Sequence, residues 1–275
     1  MTSATGAAPR LDWAEPTRRR SLAGWMLSRI GTFCLVELQK LRHDRSELVT
    51  RAIQPVLWLV IFGKTFSELR AIDTGQLPYL DFLTPGVLAQ STLFVSVFYG
   101  IQVIWERDAG VLAKLMATPT PRLALVVGKA FAASVRAAAQ VLVVVVVALL
   151  LGVDLRLAPW LLLGALVAVS MGAAFFSCLS MTVAGIVLSR DRLMGIGQAI
   201  TMPLFFASNA LYPVSQMPDW LQWISRVNPL SYQVNALRGL LLGTSANLWL
   251  DFGVLVASVV VGVTAASIVL PRLVR

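Results

Sequence analysis

Long apolar runs separated by short charged loops occupy almost the whole chain from Leu48 to Val274. A helix needs about 20 apolar residues to cross the ~30 Å hydrocarbon core of a bilayer, so the pattern predicts six spans. They fall at 48–68, 83–105, 123–152, 160–188, 193–212 and 248–270. The first is the shortest in apolar terms, because Gln54, Pro55 and Lys64 interrupt it, and it must borrow both flanks, with Lys64 snorkelling outward. The fourth is long enough to tilt, and Met171-Gly172-Ala173-Ala174 offers small side chains for close helix packing.

Three segments have a different pattern. Over 21–48, apolar residues recur at Leu22, Met26, Ile30, Cys34, Leu38 and Leu41, with Arg29, Glu37, Lys40 and Arg42 interleaved. That spacing predicts an amphipathic helix, either capping one end of the bundle or lying in the inner leaflet where a partner protein could push on it. Between the second and third runs, Trp105-Glu106-Arg107-Asp108 leads through Gly110 into a short helical stretch, stopped by Thr118-Pro119-Thr120-Pro121. This is a compact helix able to dock in a cleft, or an ordinary positive loop. After the fifth run, Trp220 and Trp223 suit an interfacial helix, where an indole ring is half wet. Asn228-Pro229 breaks that helix, and the apolar stretch 230–243, too short to span and ending in glycine, predicts a re-entrant or surface-lying hairpin.

Composition narrows the classes. Of 275 residues, 57% are hydrophobic and only 13% charged, with a mean hydropathy of +0.76, against about 25% charged in a soluble domain. Six spans leave little chain for a separate ATPase domain, so none is predicted. Nine of the 23 basic residues lie in the first 51 positions, and most others flank the ends of the second, fourth and sixth runs. By the positive-inside rule both termini face the cytoplasm, in a multi-pass protein of the plasma (inner) membrane. The net charge of +9 is spread over these flanks, which predicts contact with anionic lipid headgroups and no nucleic acid. The first 20 residues read as a disordered basic tail without a cleavable signal peptide.

Candidate chemistry is sparse. Gly63-Lys64-Thr65 resembles the tail of a phosphate-binding loop, but the required upstream glycine is Trp58. His43, Cys34 and Cys178 stand apart, without metal-ligand spacing. No carboxylate falls in the centre of a span, which argues against ion-coupled pumps and intramembrane hydrolases. Arg136, near Gln140 in the third run, is the one internal charge, with a structural role or a substrate contact as its two readings.

Several pieces together carry a resemblance: the amino-terminal amphipathic helix, Tyr79-Leu80-Asp81-Phe82-Leu83-Thr84-Pro85-Gly86, Glu106-Arg107-Asp108-Ala109-Gly110 with Leu115 and Thr118-Pro119, and Asn228-Pro229-Leu230-Ser231-Tyr232 followed by Ala236-Leu237-Arg238-Gly239. In this order they resemble the permeases of type-2 ABC exporters, especially the daunorubicin-resistance group, over residues 21–275. The resemblance implies an all-α membrane domain that pairs with a second permease chain, identical or related. It also implies a separate ABC ATPase subunit that binds ATP and magnesium, leaving no cofactor and no catalysis on this chain. Glu106, Arg107, Asp108, Gly110, Leu115, Thr118 and Pro119 match the family's coupling helix. Arg29, Phe33, Glu37, Lys40 and Leu41 belong to the stretch that matches its interface helix. Asp108 stands where the family usually has a second glutamate.

The implied activity is export of a hydrophobic or amphipathic drug or lipid, with a pathway through Arg136, Phe205, Phe206, Asn209, Tyr212, Trp220, Trp223 and Tyr232. Lipid-linked polysaccharide exporters share the layout and would grip sugars with aromatic rings. A membrane-embedded transferase would need converging acidic or histidine residues at one face.

Overall fold

The computed structural model describes residues 45–69, 74, 77–117 and 121–273, with 24, 31, 32, 35 and 39 as isolated positions. The amphipathic helix predicted over 21–48 lies almost wholly outside these, as do Arg29, Phe33, Glu37, Lys40, Leu41, Thr118 and Pro119.

Among the described residues all regular structure is helical. Proline marks where helices begin, because the first turn has no intrahelical acceptor for its N–H groups and loses nothing by lacking one. Pro78 and Pro121 precede α3 (Tyr79–Asp108) and α5 (Arg122–Leu150), and Pro159 opens α6 (Pro159–Val187). Before them come α1 (Arg45–Leu57), a π-helical stretch Trp58–Gly63 and α2 (Lys64–Leu69) in one continuous run. Short α4 is Val111–Ala117 and α7 is Arg190–Phe206; α8 (Asp219–Val227) and α9 (Pro229–Leu242) form a helical pair ahead of α10 (Leu248–Val269).

Among the described residues four helices are long and apolar enough to cross a membrane: α3, α5, α6 and the run 248–273 that includes α10. They agree with four of the six predicted spans, and α3 overruns its predicted limits by about a turn at each end, because a helix need not stop where the apolar stretch does. The other two predicted spans are the composite run α1 to α2 and the 17-residue α7, and neither meets that measure.

Helix α6 sits at the centre and packs against α3, α5, α9 and α10. Its Met171–Ala174 stretch works as predicted: Ala173 is buried, and Gly172 lies against the Gln233 side chain of α9. Large apolar side chains on the outside, among them Phe131, Val146, Leu163, Val260 and Ile268, are exposed, as expected of a surface solvated by lipid. The pair α8–α9 is divided in its burial. Trp220, Trp223 and Val227 of α8 are exposed, whereas Leu230, Val234, Leu237 and Leu241 of α9 are buried against α3, α6 and α10.

A polar network ties this pair down. Arg238 lies over the Phe82 ring, 3.8 Å from its centroid, and its Nη2 donates to the carbonyls of Asn209 and Phe82 at 3.1 and 3.3 Å. Asn209 donates to Asn235 at 2.5 Å, and Asn235 hydrogen-bonds the carboxylate of Asp251. Asp251 is buried in the first turn of α10, outside the centre of the span.

Among the described glycines the closest approach to another backbone is at Gly86, where a Cβ would overlap the carbonyl of Ala210. Gly86→Val is therefore expected to destabilise the fold by about 1–3 kcal/mol through overpacking. Gly195→Ala, where a Cβ meets nothing within 4 Å, is expected to leave it unchanged. Thermal unfolding in detergent, followed by tryptophan fluorescence, separates the two.

Candidate functional site

The charged elbow between α3 and α4 is built from a helix end, a glycine and three cross-links. Helix α3 stops at Asp108, and Gly110 takes a φ of +70°, a left-handed conformation that costs a Cβ-bearing residue energy and lets the chain turn at once into α4. Leu112 of α4 is fully buried, Leu115 and Met116 pack on the core, and Val111, Ala113 and Lys114 face outward. A seven-residue helix with one anchored face results.

The cross-links bind the elbow to three other helices. Glu106 accepts a charge-assisted hydrogen bond from Lys129 of α5, whose side chain is only 4% exposed. Arg107 holds Asp108 through Nε and Nη2, at 2.9 and 2.7 Å, while its Nη1 donates to the carbonyl of Leu188 at 2.9 Å. Leu188 ends α6 in a left-handed conformation, φ 56°. At the start of α7, the Arg190 guanidinium lies 4.6 Å from the Trp105 ring centroid. The predicted residues Glu106, Arg107, Asp108, Gly110 and Leu115 therefore come together. Their partners Lys129, Leu188 and Arg190 are far away in sequence, and Lys129 and Arg190 were visible there only as flanking positive charges.

The predicted pathway residues divide. Phe206, Tyr212 and Trp220 line one apolar groove of about 560 Å³ between α7 and α8, together with Leu204 and Ile224, and Tyr212 Oη donates to the Phe206 carbonyl at 2.6 Å. Phe205 is fully buried, edge-on to Trp58 at 5.6 Å. Asn209 belongs to the Arg238 network, Trp223 lies under Arg226 at 5.6 Å, and Tyr232 Oη donates to the Arg226 carbonyl at 2.6 Å. Arg136 is buried with its guanidinium 5.3 Å from the Tyr99 ring centroid.

The sequence pattern missed an aromatic column. Trp58 stacks on Phe62 at 4.2 Å, Phe62 on Phe66 at 5.9 Å, and Tyr79 and Phe82 continue it at 5.7 and 6.4 Å. The rings on α1 to α2 are four residues apart, a helical spacing that could have found them.

The model of the ABC-2 type transporter family matches residues 30–242 of this chain. The chain belongs to that family. Among relatives of this ABC-2 permease, a putative transport permease, ycf38, of Cyanophora paradoxa is 31% identical over 72% of the chain and 69% of its own length. The daunorubicin resistance ABC transporter permease protein DrrB1 of Streptomyces coeruleorubidus is 30% identical over 82% of the chain and 77% of its own length. Nodulation protein J of Rhizobium leguminosarum bv. viciae is 26% identical over 99% and 98%. Family and apolar helices together describe a multi-pass membrane permease.

Lys129 is too deeply placed to lose its partner without cost. Glu106→Gln or Lys129→Met alone is expected to cost about 2–3 kcal/mol, less than the ~3–5 kcal/mol of a fully buried pair because Glu106 keeps some exposure. The double variant is expected to recover part of that loss, and a double-mutant cycle of unfolding free energies in detergent measures it.

Proposed function

We propose that this ABC-2 permease is the transmembrane subunit of an ATP-driven exporter, moving an amphipathic drug or lipid out of the cell and fuelled by a separate ATPase subunit. The observation carrying this reading is the elbow at Glu106–Ala117. It presents the exposed side chains of α4 at one end of the bundle, and it is cross-linked to α5, α6 and α7. A push on α4 would reach three helices at once as rigid-body movement. The elbow is the coupling helix in this reading, docked in a groove of the ATPase on the cytoplasmic side. Both termini share that side, in the plasma (inner) membrane.

Six spans complete the topology. The run α1 to α2 crosses with help from its flanks, and α7 crosses together with the 207–212 segment. A second permease chain, identical or related, supplies the other half of the pathway. Amphipathic cargo leaves past the groove formed by Phe206, Tyr212 and Trp220, whose apolar walls match such a passenger. The relative named for daunorubicin resistance supports a drug as cargo.

One observation favours a second reading. The stacked Trp58, Phe62 and Phe66 rings are the kind of surface on which sugars pack, which fits a lipid-linked polysaccharide.

The test is co-reconstitution with a candidate ABC ATPase subunit from the same organism, measuring ATP turnover. Gly110→Pro, which forces the left-handed turn to a φ near −65°, and Val111→Asp on the exposed face of α4 are each expected to lower permease-stimulated turnover at least fivefold. Gly195→Ala serves as the control. Full stimulation by both variants refutes the coupling role, and full transport activity without any ATPase refutes the exporter reading.

A further inference from the structure

At mid-depth of the bundle, a cleft of about 350 Å³ opens between α1, α3 and α5. Gln90 is the twelfth of the thirty residues of α3, and Gln140 the nineteenth of the twenty-nine of α5. Because the two helices run in opposite directions, both glutamines lie about ten residues from the same end of the bundle. They line the cleft and are 2% and 1% exposed. Among the described residues, Gln90 Oε1 and both amide atoms of Gln140 have no hydrogen-bond partner. A buried amide left unpaired costs free energy, and these three unpaired atoms belong to residues that line one cleft, so they call for an occupant that pairs with them.

We propose that this cleft binds the neutral, hydroxyl- or amide-bearing head of an amphipathic molecule. The amides offer both donors and acceptors, as hydroxyl or amide groups require. The described residues lining the cleft carry no formal charge, so among them an ionic head would be desolvated without compensation. Arg136, one turn before Gln140, is turned to the Tyr99 ring and is not part of the lining. Gln54 and Thr50 extend the polar side along α1, while Phe94 and the half-exposed Phe98 form an apolar wall for an attached chain. None of this depends on nucleotide or on a second protein.

The probe is hexyl β-D-glucoside carrying a diazirine on its alkyl chain, photocrosslinked to the full chain in phosphatidylcholine nanodiscs and mapped by mass spectrometry. Saturable labelling of the 50–55 and 94–98 peptides is expected, competed by unlabelled hexyl glucoside. Hexyl phosphate and hexyltrimethylammonium are expected not to compete. Glucose without a tail separates a free polyol from a lipid-like ligand, and competition only by the tailed compound is expected. The double variant Gln90→Leu/Gln140→Leu, which keeps the volume but removes the amides, is expected to weaken labelling about tenfold or more. Phe98→Ala leaves the amides in place and is expected to weaken it severalfold, which keeps the test decisive should the double variant unfold. Labelling unchanged in the variants, equal competition by the charged analogues, or no saturable labelling, as when water alone fills the cleft, would overturn the assignment.

Discussion

Hydrocarbon offers no hydrogen bonds, and most of this structure answers that single fact. Backbone groups are paired within helices, since no other open-chain arrangement satisfies them in lipid. Hydroxyls are treated in the same way: Ser91, Thr92, Ser96, Thr182 and Thr264 each return a bond to the carbonyl four residues earlier. Others work between helices, as Ser134 does on α5 by reaching the Ser170 carbonyl of α6, and Ser180 by reaching Val97 of α3. Buried polar atoms without a partner remain at Asn209, Gln233, Arg238, Asp251 and Ser267, and at Gln90 and Gln140, where they belong to two residues lining one cleft.

The same constraint explains how the two ends of the bundle are tied. At one end, Arg107, Lys129 and Arg190 find an acceptor carbonyl, a carboxylate and an indole face on different helices, so the α3–α4 elbow cannot shift without moving its neighbours. At the other, Arg238 secures α9 against α3, and Asn209, Asn235 and Asp251 extend the lock to α10. Between these two polar collars the helices pack closely, with Gly172 against the Gln233 side chain and α6 along α10, and the Ser134 and Ser180 bonds join α6 to α5 and α3.

How much of this was readable beforehand varies by element for physical reasons. Helices α3, α5, α6 and α10 announce themselves, because spanning a fixed thickness demands a fixed length of apolar chain. Their starts are legible too, since Pro78, Pro121 and Pro159 favour a helix N-terminus. The π-helical stretch Trp58–Gly63 carries no comparable sign: Pro55 alone foretells a disturbance, not its form. Gly110 and Gly243 could be foreseen as left-handed turns, but Leu188 could not, because leucine disfavours that conformation and takes it only where α6 meets α7. Asp108 was readable as a charge at the membrane exit, not as the carboxylate that orients Arg107.

The sequence by itself determined the solvent of this protein, four of its long apolar helices, the places where helices start and the charged elbow that carries the family resemblance. These depend on hydropathy, proline and local spacing, all of which act within a turn or within one span. Tertiary structure alone decided that Lys129 meets Glu106 across 23 residues, that α9 is buried while α8 is not, that Phe205 faces the core and Phe206 the groove, and that Gln90 and Gln140 share a cleft. Each depends on how one helix is rotated against another, and small side chains and close approach set that rotation only when the helices have met.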